Sequence, residues 1–474
     1  MRYYIWTIGC QMNRADSRRL AVALEMLGYE PASCAEEADV VVLNTCVVRQ
    51  QAEDKVHGRL GSLRPLKERR PEVVVGVMGC LVGFRGPGEV AERYPWVDVW
   101  MPPSDPAPLL HHLSGQGFVD EDRALAAEAR ARQERFYEGW GLPGRERGRR
   151  VTAYVPAVLG CSHACTYCII PYRRGPERSR PPGEIVAEAQ TLADQGVREI
   201  TLLGQIIDRY GYDLPDYRTD PATTPLVDLL RRVHRIEGLV RVRFLTSHPN
   251  WMRDDLLGAV ASLPKVCEHI EVPVQAGDDE VLARMRRGYT ADDYRRLVAR
   301  IREMIPGVSI ATDVIVGFPG ETEAQFRRTY DLLAELRLDK VHIARYSPRP
   351  QTLAARRFPD DVPQEVKERR RKALDELQAR VAAEINRQLL GQTVEVLVEG
   401  KRKGRWWGRT RTDKLVFFDD ERDRLGQLVP VRITWTGPWS LIGEPADIPP
   451  RAPSGDAGAG GVSNRREGSR AARV

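Results

Sequence analysis

Nowhere in these 474 residues do about 18 apolar residues run together, and the first residues, MRYYIWTIGC, lack the basic, then apolar, then small-residue order of a secretory signal. No membrane partner is therefore expected, and the chain is read as cytoplasmic. Cysteine is scarce, at eight residues. That is too sparse for a disulfide scaffold, and the cytosol would keep the thiols reduced in any case. Neither sign of charge prevails: 72 Lys and Arg face 66 Asp and Glu, a net charge of +6. A pI near 8.9 suits an anionic partner, but charge alone does not establish one. Tandem repeats are absent too. With 42% hydrophobic content at this length, the chain exceeds what one core usually covers, so roughly two to four domains are expected.

What is present is an order of β-rich and helix-like segments. In residues 1–117, strands are predicted at Tyr3 to Ile8, Val40 to Leu43 and Val73 to Met78, with amphipathic stretches between them. That alternation predicts an α/β domain on a parallel sheet. A charged stretch at 118–146 without β pattern reads as a linker. From 147 to 380 the alternation resumes, with strands predicted at Val151 to Val158, Glu199 to Leu203, Val240 to Leu245, Glu268 to Val272, Ser309 to Val316 and Lys340 to Ala344. Six βα units in succession predict a partial or full β/α barrel. After a helix-like stretch from Gln364 to Leu390, short alternating strands in 381–445 predict a small β-barrel, and the Gly-, Ala-, Ser- and Arg-rich 446–474 a disordered tail.

The cysteines follow this order. Cys10, Cys46 and Cys80 each come within a few residues of the end of one of the first three predicted strands. Carboxyl ends of parallel strands share one crevice, so three thiols so distributed can converge; the alternative is small buried residues at tight strand ends. Cys161, Cys165 and Cys168 form a CxxxCxxC loop just after the first strand of the middle segment. Three thiolates can hold three irons of a 4Fe-4S cubane and leave the fourth iron open. A zinc site would need a fourth ligand, such as His163 or a distant cysteine. His163 reads better as a neighbour of the ligands, and Cys34 and Cys267 as filler.

CxxxCxxC with an aromatic residue, Tyr167, before its last cysteine resembles the signature of radical S-adenosylmethionine enzymes. The segments LGCSHACTYCIIPYRRGPERSRP, VREITLLGQ, RFLTSHP, VPVQAGDDEVLARMRRGYT, DVIVGFPGETE and YSPRP resemble successive motifs of the methylthiotransferases within that class. IGCQMNRADS, LNTCVVRQQAEDKVHGRLGSL and VMGC are similar to the branch acting on N6-isopentenyladenosine at position 37 of tRNA. One departure stands out: GQIIDRYGYDL puts Ile206 and Asp208 where that branch carries asparagines, and its YGxDL ending resembles the branch that modifies a ribosomal protein. The resemblance implies a transferase with two 4Fe-4S clusters, one on Cys161, Cys165 and Cys168 and an auxiliary one on Cys10, Cys46 and Cys80. S-adenosylmethionine bound at the open iron would yield a 5'-deoxyadenosyl radical, able to attack an unactivated C2–H of adenine. Competing substrates are threonylcarbamoyladenosine in tRNA and an aspartate of a ribosomal protein; a reading of another class is a non-enzymatic RNA-binding iron-sulfur sensor.

Further residues follow from position in the pattern. Tyr167, Gly204, Gln205, Gly317, Gly320 and Glu321 are expected at the S-adenosylmethionine site, because glycine at a strand end lets backbone approach a ligand. Arg173, Arg174, Arg178 and Arg180 follow the cluster loop and could meet RNA phosphates, or form a solvated basic face. The C-terminal barrel resembles the TRAM domain, a small RNA-binding module. There Lys401, Arg405, Trp406, Trp407 and Arg409 interleave basic and aromatic side chains suited to phosphates and unpaired bases, with one tryptophan facing inward. The expected partner is tRNA and the expected state a monomer; the sequence identifies neither the electron donor nor the sulfur source.

Overall fold

The computed structural model describes residues 1–48, 50–115, 141–215, 217 and 222–446. Most of the expected 118–146 linker, and the expected tail beyond residue 446, lie outside the described residues.

Val40–Thr45 and Val74–Gly79 are buried along their whole length, as continuous apolar runs in a two-sided parallel sheet must be. They are central in a five-stranded parallel sheet ordered Glu30–Pro31, Arg2–Thr7, Val40–Thr45, Val74–Gly79, Val99–Met101. Separate apolar cores cover its two faces, one including Leu20 and Leu24 of helix Gln11–Met26, the other Leu60 and Leu63 of helix Gln50–Arg69.

The middle segment carries two three-stranded parallel sheets in chain order. Thr152–Pro156, Glu199–Leu203 and Arg241–Leu245 form the first, and His269–Glu271, Ser309–Val316 and Lys340–Arg345 the second. Hydrogen bonds from Cys267 N to Val242 O (3.0 Å) and from Ser247 N to Glu271 O (3.0 Å) join them, and one apolar core serves both. Among the described residues the outer strands Thr152–Pro156 and Lys340–Arg345 do not pair with each other, so the barrel is partial.

Helix Gln11–Met26 packs against the open-edge strand Thr152–Pro156, and Arg18 donates to the Tyr154 carbonyl at 3.0 Å. Beneath that contact lies Glu188, fully buried and paired with Arg18, Arg19 and Arg180. This network locks the first sheet to the barrel, which sets the two cysteine groups face to face.

Helix Gln364–Arg387 leads to a closed five-stranded barrel of Thr393–Arg402, Arg405–Arg409, Leu415–Phe418, Leu441–Pro445 and Leu428–Thr436. It is anchored by two arginines buried in a barrel strand: Arg241 donates to Arg409 O (2.6 Å) and Glu395 O (3.1 Å), and Arg243 to Thr410 O (2.7 Å) and Arg411 O (2.8 Å).

Candidate active site

Three neighbouring strands of the first sheet end within one to three residues of a thiol. Cys10 caps helix Gln11–Met26, and Cys46 and Cys80 directly follow Val40–Thr45 and Val74–Gly79. Two of these turns require glycine. Gly9 has φ +126°, and a Cβ there would stand 2.5 Å from Cys46 Cβ and 3.2 Å from its Sγ; Gly79 has φ +101°, and a Cβ would stand 2.6 Å from Thr45 O. The 161–168 loop is pinned by Cys161 N to Gly175 O (3.1 Å), Thr166 N to Met285 O (3.1 Å) and Thr166 Oγ1 to Arg284 O (2.9 Å).

Between these groups lies a cavity of about 660 Å³. Cys10 and Cys46 line one side and Cys161, Cys165 and Cys168 the other, with Tyr167, Gly204 and Gln205 also in its wall. Cys80 is buried and does not line the cavity, but lies close enough to Cys46 and Cys10 for the three thiols to act on one another electrostatically. Among the described residues no three His, Cys, Asp or Glu side chains close on one ion-sized point; the thiols are spread around a larger space.

Four of the thiols, Cys46, Cys80, Cys161 and Cys168, are poor anions as they stand. Burial pushes Cys46 and Cys168 up to about 12, Cys161 to about 11, and Cys80 upward as well. Cys165 goes the other way: burial raises it, but a hydrogen bond from His163 and the Arg287 guanidinium outweigh that and lower it. Each triad has one buried arginine against it. Arg287 donates to Cys165 Sγ at 3.1 Å, and Arg174 lies beside Cys80 while donating to Asn13 Oδ1 at 2.7 Å. Thiolates bonded to iron lose their protons, and a nearby guanidinium offsets the cluster's negative charge. Two sets of three thiols, a cavity between them and one cation per set fit two iron-sulfur groups.

Several expected positions are displaced by the packing. Arg174 cannot meet RNA: it is buried between Asn13, Asp16 and Cys80. Arg180 is fully buried in the Glu188 network. Arg173 is half-buried against Gly83, and Arg178 is exposed. Gly317, Gly320 and Glu321 do not line the cavity. A side chain at Gly317 would collide with Lys367, Gly320 N bonds Asp361, and Glu321 is taken up by Gly317 N (2.6 Å) and Arg370 (2.8 Å). Trp406 is the inward tryptophan, in the barrel core with its Nε1 donating to Asp420 O at 3.0 Å, so it is no base-stacking platform. Lys401 is exposed above the Trp406 ring, Arg405 is exposed beside Asp419, and Arg409 pairs with Glu399 and Asp413.

The cavity also presents Ser247, His248, Glu271, Gln275 and Arg287, to which the motifs assigned no site role, although only Glu271 lies outside the motif segments. Burial raises Glu271 to about 7. On the C-terminal barrel the exposed aromatics are Trp435 (50%) and Trp439 (59%). Ser247 and His248 were in the quoted RFLTSHP segment, while isolated tryptophans in a β-rich sequence carry no signal of facing.

Residues 155–333 match the Radical SAM superfamily, 2–102 the uncharacterized protein family UPF0004, and 387–446 the TRAM domain. Relatives named tRNA-2-methylthio-N(6)-dimethylallyladenosine synthase include that of Chloroflexus aurantiacus, 48% identical over 94% of this chain and 91% of its own length. That of a Roseiflexus species is 49% identical over 93% and 89%, and that of Herpetosiphon aurantiacus 45% identical over 94% and 98%. Among solved structures, the radical S-adenosylmethionine methyltransferase TsrM from Kitasatospora setae, with cobalamin and a 4Fe-4S cluster bound, aligns with TM-score 0.54 at 15% identity over 75% of this chain and 74% of that one, a likeness of fold. With three matched regions in this order and relatives of this identity along nearly the whole chain, the protein belongs to the radical S-adenosylmethionine methylthiotransferases, in the tRNA-2-methylthio-N6-dimethylallyladenosine synthase family.

Proposed function

We propose that this enzyme places a methylthio group on C2 of N6-isopentenyladenosine at position 37 of tRNA. The observation that carries the reading is the single cavity with one cysteine group on each side. Cys161, Cys165 and Cys168 would hold a 4Fe-4S cluster with one iron left for S-adenosylmethionine, and Cys10, Cys46 and Cys80 an auxiliary cluster. When bound, these groups and S-adenosylmethionine supply a carbon-centred radical for the C–H bond and the sulfur for its replacement.

The chain's own residues place and shield. The Glu188 network fixes the distance between the two cysteine groups. Arg287 and Arg174 hold positive charge against one thiol group each. Ile206, Leu203 and Leu245 give the cavity apolar walls that limit water around a reactive intermediate. Exposed Lys401, Arg405, Trp435 and Trp439 on the barrel offer tRNA charge and stacking surface. The division into 1–117, 147–380 and 381–445, with a monomer in the cytoplasm, belongs to the same proposal; no helix among the described residues is long and apolar enough to cross a membrane.

The test is anaerobic reconstitution with iron and sulfide, then reaction with S-adenosylmethionine, a reductant and tRNA bearing isopentenyladenosine, with nucleosides read by mass spectrometry. A methylthio nucleoside is the expected product. Formation of 5'-deoxyadenosine without it would move the substrate to threonylcarbamoyladenosine or a protein aspartate.

A further inference from the structure

Two polar side chains in the cavity wall are buried and lack partners on one atom each. Ser247 is 2% exposed and His248 1% exposed, both line the cavity, and neither Ser247 Oγ nor His248 Nε2 has a hydrogen-bond partner. Buried polar atoms left unmatched are rare, because each forfeits its bonds to water. The turn that presents them is itself costly: Thr246, a β-branched residue, sits at φ +69°. It is held there by Ile207 N to Thr246 O (3.0 Å), Ser247 N to Glu271 O (3.0 Å) and His248 N to the Asp208 carboxylate (3.0 and 3.2 Å). A strained, firmly tied turn that sets two residues with unmatched polar atoms in the wall of a cavity has the makings of a binding element.

The histidine's hydrogen-bonding sense is fixed by its other nitrogen. Nδ1 accepts from Asn250 N at 3.3 Å, so the proton of the neutral ring is on Nε2, which is therefore a donor. The ring stays neutral because burial, then Arg287 and His163, lower its pKa to about 2. It is wedged edge-on between His163 (4.6 Å between centroids) and Tyr289 (5.7 Å), so it cannot swing to another partner. His163 belongs to the CxxxCxxC loop, which puts this donor close to where reaction must occur. In adenine the carbon C2 lies between N1 and N3, both of which accept hydrogen bonds.

We propose that Ser247 and His248 are the specificity contact of the acceptor nucleoside, with His248 Nε2–H donating to one ring nitrogen flanking C2 and the Ser247 hydroxyl supporting it. The contact rests on the tRNA reading above and adds its means of base recognition. It holds C2 in register and discriminates against bases lacking an acceptor at that position.

The test uses reconstituted enzyme with an anticodon stem-loop carrying isopentenyladenosine or its 1-deaza or 3-deaza counterpart. Methylthiolation kcat and KM, and stem-loop Kd, are measured for wild type, His248→Phe and Ser247→Ala. Wild type is expected to lose about 10- to 100-fold in kcat/KM on one deaza substrate, the scale of an unmet buried donor. His248→Phe should be slower on the natural substrate but show no further loss on that deaza substrate, in kcat/KM and in Kd. Ser247→Ala, which removes a hydroxyl without a hydrogen-bond partner in the fold, should narrow the same discrimination. Equal deaza penalties in wild type and His248→Phe, or no penalty in wild type at either position, would overturn the inference. So would a tenfold weaker Kd for S-adenosylmethionine in His248→Phe with the deaza penalty intact, which would assign the donor to the methionine carboxylate. Absence of product from wild type on the natural stem-loop would instead bring down the substrate reading on which it rests.

Discussion

Replacing Asp208 by asparagine should stabilise the protein, and by more as the pH rises. Asp208 is fully buried, accepts two contacts from His248 N, and has its pKa raised from 3.8 to about 7, mainly by burial. A carboxyl whose native pKa lies above its unfolded value is more protonated in the folded state, so stability is highest at low pH and falls as the pH climbs from about 4 to 7. A gap of about three pKa units corresponds to about 4 kcal/mol lost by pH 8, an upper figure because local relaxation reduces it. Asparagine keeps an acceptor for His248 N and carries no charge at any pH. The gain should therefore be about 2–4 kcal/mol at pH 8 and roughly 1–1.5 kcal/mol at pH 5. For a unit of 150–250 residues, about 2–4 °C of melting temperature accompanies each kcal/mol. Melting curves of both proteins without metal at pH 5 and pH 8 provide the assay, since the difference between them cancels every other titrating group. A gain equal at both pH values, or a less stable variant at pH 8, would refute the reasoning.

Four other substitutions separate packing from binding. Glu188→Gln leaves Arg18, Arg19 and Arg180 buried around a neutral group; a loss of about 3–5 kcal/mol is expected in denaturant unfolding, with earlier separation of the first sheet from the barrel visible by hydrogen exchange. Trp406→Ala should cost about 3–5 kcal/mol as a core truncation. Trp435→Ala and Trp439→Ala should leave stability within about 0.5 kcal/mol but weaken tRNA binding by about 1–3 kcal/mol each in a filter or anisotropy assay.

The sequence was most readable where local pattern and tertiary environment agree. Glu199–Leu203 and Ser309–Val316 form as the residue pattern predicts, because a buried strand is a short apolar run between turn signals. Placement of Cys10, Cys46 and Cys80 at adjacent strand ends follows from the same alternation. The two-residue strand Glu30–Pro31 and the short Val99–Met101 carried too little pattern to be seen. Charged residues were the least legible. Arg174 and Arg180 look like a basic surface in a row with Arg173 and Arg178, yet their partners, Asn13, Asp16 and Glu188, lie elsewhere in the chain and absorb them into the interior. The facing of Trp406 depended on register with Phe418 and Lys401 across the barrel, which alternation narrows to a choice of two. Ser247 and His248 were visible as a motif, but their unmatched atoms exist only once the Thr246 turn is formed.

The central claim is two thiol groups with different tasks at one cavity. Its most direct test is to compare wild type with two triple alanine variants, at Cys161, Cys165 and Cys168 and at Cys10, Cys46 and Cys80, measuring 5'-deoxyadenosine and methylthiolated nucleoside in the same reactions. The first variant should form neither product, and the second should still form 5'-deoxyadenosine but no methylthio nucleoside. Methylthiolation at wild-type level by the variant lacking Cys10, Cys46 and Cys80 would contradict the account.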